Sequence, residues 1–98
     1  MASTTIIKEI ENIIEEPIDK ILVRALINEL RRKLNEFILI DNTMRKKYGM
    51  SFEEFKERNI VKKKGYSFEV ESDYCDWELA VDGIKTIKEK IEKLEKLL

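Results

Sequence analysis

Residues 44–77, MRKKYGMSFEEFKERNIVKKKGYSFEVESDYCDW, decide the fold of this chain, because they hold the turns that separate two long runs of helical periodicity. Gly49 suits the left-handed position that closes a helix, and Arg45, Lys46 and Lys47 put positive charge at that helix's negative end. Ser51 then caps a new helix, with Glu54 three residues on completing a capping box and Met50 placed to pack on Phe55. A tight helix–helix turn follows, with a short helix over residues 52–58 carrying Phe52 and Phe55 inwards. Between residues 60 and 71 the period changes. Tyr66, Phe68 and Val70 alternate with Ser67, Glu69 and Glu71 after a turn at Gly65, the pattern of a loop or edge strand. Ser72 or Asp73 is the expected cap of the last helix, residues 73–98, with Asp73, Asp76 and Glu78 at its positive end.

Downstream of this stretch the spacing is strict. Trp77, Ala80, Ile84, Ile87, Ile91, Leu94 and Leu98 recur at alternating steps of three and four, a heptad seam. Its outer face offers i,i+4 pairs such as Lys85 with Glu89 and Glu92 with Lys96, each contributing only about 0.2 to 0.5 kcal/mol. Upstream, no Gly or Pro interrupts residues 17–48, and Val23, Ile27, Leu30, Leu34, Phe37, Met44 and Tyr48 form a matching stripe that Asp41 breaks. Asp41, Asn42 and Thr43 compete for backbone hydrogen bonds, so an interruption of this helix at that point stays open. Phe37, Ile38, Leu39 and Ile40 are apolar around the whole turn, so this turn is either enclosed by several elements or lies in a subunit interface, and the four are the expected oligomer interface. Residues 3–16 carry Ile6, Ile7, Ile10, Ile13 and Ile14 on one face of a short amphipathic helix, with Ser3, Thr4 and Thr5 as candidate caps and a bend before Pro17. The expected architecture is a single all-α domain, a long antiparallel helical hairpin with a short N-terminal helix and a compact head, assembled as a dimer.

Composition narrows the function classes. Charged residues are 40% of the chain but balance to a net charge of −1, so no global field directs it to nucleic acid or an anionic membrane. Local asymmetry is large: eight basic residues against three acidic lie between Met44 and Lys64, and six acids follow before the next base. The richness in Lys, Glu and Ile, with no His, is the bias of a thermophile. One cysteine, Cys75, excludes an intrachain disulfide and fits a reducing, cytoplasmic setting, and no signal peptide or membrane-spanning run is expected.

Absence of His removes Ser-His-Asp and Cys-His mechanisms and histidine metal sites, and there is no Gly-rich phosphate loop. No catalytic residue and no cofactor is therefore expected. Glu54 and Glu57 with Asp73 and Asp76 could converge on Mg²⁺, as in all-α nucleotide pyrophosphohydrolases. Capping and helix-dipole roles explain the same carboxylates without a metal. Lys62, Lys63 and Lys64 beside Tyr66 and Phe68 could grip a phosphate backbone, but the acids that follow would oppose it, so nucleic acid is not the favoured partner. Phe68, Val70, Asp73, Tyr74, Asp76 and Trp77 form an acidic aromatic pole, the expected binding surface for a basic protein. Trp77 starting the hairpin core beneath Tyr74 is the alternative, compatible use of the same residues.

From KYGMSFEEFKER to DYCDWELAVDGI, roughly Met44 to Ile84, the chain resembles small archaeal and bacterial proteins found as the antitoxin-like partner in toxin-antitoxin gene pairs. The resemblance rests on Tyr48-Gly49, Ser51, Glu54-Phe55 and Asp73-Tyr74 with Trp77-Glu78. It implies a role, binding and neutralising a cognate toxin of basic, ribonuclease-like character, and assigns no site residue. A generic helical scaffold or adaptor is the alternative.

Overall fold

The computed structural model describes residues 4–98, and among them every regular element is an α-helix. Helix α1 spans Thr4–Ile14, α2 Ile18–Tyr48, α3 Phe52–Glu57, α4 Ile60–Lys63 and α5 Phe68–Glu95. The long helices α2 and α5 run side by side as the arms of a hairpin, with α3 and α4 at its head. The shape is a rod of 61 × 25 × 18 Å with a radius of gyration of 19.7 Å, against about 13 Å for a compact domain of this length.

Local chemistry sets the boundaries of α2 and α3. Gly49 adopts φ 66° and its amide donates to the Arg45 carbonyl at 2.7 Å, ending α2 as expected. Ser51 Oγ accepts from the Glu54 amide at 3.2 Å, and Met50 packs on the cluster that contains Phe55. At the other end of α2 the chain bends where Glu15 takes φ 63°, and Pro17 precedes the first helical turn. The Ile18 amide donates to Glu11 Oε2 at 2.9 Å, so α1 supplies an acceptor for a free donor of α2. Thr4 and Thr5 lie inside α1 rather than capping it, and Ser3 lies outside the described residues.

The edge strand expected within residues 60–71 does not form. Ile60–Lys63 is a helical turn and α5 begins at Phe68, with Ser67 Oγ accepting from the Val70 amide at 3.3 Å. Ser67, not Ser72 or Asp73, is the cap. The reason is positional: Val70 lies seven residues before Trp77, on the same helical face, so helix buries it while a lone strand would have no ladder partner. Helix α2 is continuous through Asp41, and Thr43 satisfies its hydroxyl on the Leu39 carbonyl at 2.7 Å.

Two clusters make up the core. At the head, Phe52, Phe55, Val70 and Trp77 are buried, with Met44, Tyr48, Met50 and Tyr74 packed around them. Along the arms, Ile27, Ile87 and Ile91 are buried among Val23, Leu30, Leu34, Phe37 and Leu94. The heptad seam is thus followed from Trp77 to Leu94, while Leu98 is exposed beyond the end of α5. Gly83 lets the arms meet closely: a β-carbon there would sit 2.6 Å from Phe37 Cδ2. Of the expected pairs along α5, only Glu92 with Lys96 closes among the described residues, at 3.9 Å.

Candidate functional site

Trp77, the centre of the expected acidic aromatic pole, has 0% of its surface exposed. Its ring packs on Phe52 and Phe55 at centroid separations of 5.3 and 5.2 Å and stacks on Tyr48 at 5.9 Å. Val70 is buried beside it. Tyr74 is half-buried, with its ring 5.4 Å from Phe52 and its hydroxyl donating to Glu78 Oε2 at 3.3 Å. Burial first, and the Glu78 charge second, push the Tyr74 phenol up. The pole therefore divides: Trp77, Val70 and most of Tyr74 are core, and Phe68, 87% exposed, is the aromatic that stays outside. Helical register explains this, since Val70, Tyr74, Trp77 and Val81 share one face and Phe68 does not.

The acids of the pole are also partly consumed. Lys47 Nζ donates to Asp73 Oδ2 and to Glu69 Oε1, both at 2.6 Å, and the Tyr48 hydroxyl donates to the same Asp73 oxygen. Burial pushes the Asp73 carboxyl up, but the hydrogen bonds from Lys47 and Tyr48 and the Lys47 charge outweigh it and hold the group below its ordinary value. The Tyr48 phenol is pushed up to about 12, by burial first and then by its bond to Asp73. This triad ties the end of α2 to the start of α5 and occupies Asp73 Oδ2 with two donors. Asp76 remains at the surface, lining an open hollow with Leu39, Ile40, Thr43, Met44 and Leu79.

That hollow, about 290 Å³, is where the expected interface quartet leads. Phe37 faces Gly83, with Lys33 Nζ 5.0 Å from its ring centroid, and belongs to the hairpin's own packing. Ile38 is half-buried. Leu39, 67% exposed, and Ile40 instead open outwards beside Leu79. Helix α1 adds a second uncovered apolar face, because it buries none of its residues and leaves Ile6, Ile10, Ile13 and Ile14 exposed.

Carboxylates that could have served a metal are dispersed. Glu54 pairs with Arg58 at 3.3 Å, Asp73 is held by Lys47, and no group of three or more His, Cys, Asp or Glu among the described residues could hold an ion. Cys75 is exposed. No helix among the described residues is long and apolar enough to cross a membrane. Comparison with known protein families, with curated proteins and with solved structures found no match.

Proposed function

We propose that this chain is a non-enzymatic interaction module of the antitoxin type, which pairs with a second copy of itself and binds and neutralises a cognate basic toxin. The observation that carries the reading is the uncovered apolar surface. The rod-shaped chain exposes 7417 Å² of polar and apolar surface together, against about 5,900 Å² for a compact monomer of 11.7 kDa. That surplus includes Leu39 and Leu79 at the open hollow and the isoleucine face of α1. The constellation of Lys47, Tyr48 and Asp73, by contrast, is engaged in holding the hairpin together. The resemblance over Met44 to Ile84 is the ground for reading the partner as a toxin, and it does not identify which one. Trp77 and Val70 are not contact residues in this reading: they shape the head, and Phe68 with the outward-facing acids is what the pole retains for a partner.

Co-expression with the product of the adjacent gene is the test. Co-purification together with relief of that product's toxicity is the expected result. A neighbour that neither co-purifies nor is neutralised removes the antitoxin reading, leaving the scaffold alternative.

A further inference from the structure

The basic segment at the head is a part of the molecule that its own packing does not use. Helix α4 closes with the Gly65 amide on the Lys62 carbonyl at 3.0 Å and the Tyr66 amide on the Val61 carbonyl at 2.9 Å. Gly65 adopts φ 70°, which costs a glycine nothing; Tyr66 adopts φ 55°, a left-handed conformation that a residue with a β-carbon disfavours. The strained residue carries a ring that is 60% exposed, and Phe68 two positions on is barer still. Folding calls for neither ring outside.

Charge at the same place is equally unspent. Lys62, Lys63 and Lys64 form no ion pair among the described residues, whereas the nearby acids Glu69 and Asp73 are both held by Lys47. Lys47, on another helix, thus offsets one of those two charges, while Glu71 stays without an ion pair among the described residues and Lys64 shares a hollow with Glu69. Beside the segment lies an open cleft of about 210 Å³ with Phe55 in its floor. Lys56, Asn59, Lys62, Tyr66 and Tyr74 line it, and no carboxylate does. Glu71 lies across Tyr66, in the adjoining hollow.

We propose that this head binds single-stranded nucleic acid, with Lys62, Lys63 and Lys64 on the phosphates and Tyr66 and Phe68 as stacking platforms for unpaired bases. Exposed rings beside unpaired lysines match the two contacts such a strand offers, base faces and backbone charge. A duplex presents only the charge, since its bases are already stacked. An acidic protein would meet the same lysines and could bury the same rings, so competition by polyglutamate is included in the test to separate the two. The lysines, Tyr66 and the cleft are separate from the hollow at Leu39 and from α1, and only Phe68 is shared with the surface kept for a toxin, so the inference does not rest on the toxin reading and its failure leaves that reading standing.

The experiment is fluorescence anisotropy of a short labelled oligothymidylate with the full chain at low salt, alongside the same length of duplex. Expected are preference for the single strand, affinity that falls steeply as salt rises, and loss of binding in the variant combining Lys62→Glu, Lys63→Glu and Lys64→Glu. Tyr66→Gly supplies a control for folding, because glycine suits the left-handed backbone: this variant is expected to melt no lower than the parent and to bind about tenfold more weakly. Absence of binding overturns the proposal. So does a duplex bound as tightly as the strand, Tyr66→Gly binding like the parent, or polyglutamate displacing the strand as well as unlabelled oligothymidylate does.

Discussion

The indole Nε1 of Trp77 donates to Asp41 Oδ1 at 2.8 Å, joining two residues 36 apart in sequence across the middle of the hairpin. The bond accounts for a carboxylate in an otherwise apolar stripe. Trp77 is fully buried, so its single donor needs an acceptor inside, and Asp41 supplies one while Arg45 Nε donates to the same carboxylate from its outer side at 3.1 Å. Asp41→Leu would complete the heptad pattern of α2. It is nevertheless expected to destabilise the fold by about 1 to 3 kcal/mol, because it leaves the indole N–H unpaired. Asp41→Asn, which keeps an acceptor, should lose less. Urea denaturation followed by tryptophan fluorescence measures both; a Leu variant as stable as the parent would remove this account.

Gly83 on α5 packs directly against the Phe37 ring of α2. Alanine has the better helix propensity by about 1 kcal/mol, yet its β-carbon would enter the Phe37 ring, and overpacking costs about 1 to 3 kcal/mol. Gly83→Ala is therefore expected to be net destabilising. In a Phe37→Ala background the obstruction is gone, and the same change should become stabilising. A double-mutant cycle in urea reads the reversal of sign directly.

Position of the α5 cap separates two accounts of the head. Ser67→Ala removes the acceptor of the Val70 amide and should cost about 1 kcal/mol, whereas Ser72→Ala, within the helix, should change stability by less than about 0.5 kcal/mol. Comparable losses at the two positions would restore the later helix start that the sequence alone favours.

The Lys47, Tyr48 and Asp73 triad gives the fold a pH dependence at both extremes. Tyr48 is raised from 10.0 to about 12, so the stability it contributes is complete below pH 10.0 and is lost as pH climbs through about 12. Asp73 is lowered from 3.8, so its contribution is present above that value and disappears as pH falls through the lower folded value. Tyr48→Phe should flatten the alkaline limb of a plot of urea midpoint against pH, with a residual slope from Tyr74, and Asp73→Asn the acid limb. Unchanged limbs would mean that the triad does not couple to folding.

Self-association is expected to depend on the outward-facing hollow. Leu39→Glu should convert a dimer to a monomer in analytical ultracentrifugation while leaving the melting behaviour of the monomer unaltered, since Leu39 is exposed within one chain. A parent that is already monomeric at micromolar concentration removes the dimer from the proposal.

Much of the hairpin was readable from residue types, because its signals are local. A glycine at position 49 needs no distant contact to adopt φ 66°, and Ser51 caps an amide three residues away. The seam from Trp77 to Leu94 was equally legible, as was the stripe from Val23 to Leu34, since helical periodicity is carried by the order of residues itself. Residues 66–71 misled because their alternation reads as a strand, whereas of the three apolar positions only Val70 is buried, on the helical face of Tyr74 and Trp77; the turn at Gly65 and the cap at Ser67 decide for the helix. The candidate site was harder to read. Tyr74, Trp77 and Asp73 have the residue types of an exposed anchor set, and nothing in their order says which way that face turns.

By itself, then, the sequence determined two long helices, the turn between α2 and α3, and the absence of histidine chemistry, through backbone preferences and side chains acting over a few residues. Only the tertiary structure decided that Asp41 belongs in the seam, that Trp77 is interior, and that Lys47 bridges Glu69 and Asp73 while Lys62, Lys63 and Lys64 form no ion pair among the described residues. Those outcomes depend on the register of α2 against α5, which brings together residues 22 to 36 apart in the chain. That register follows from which side chains fill the space between the arms, Phe37 against Gly83 and Trp77 under Tyr48, and no local rule specifies it.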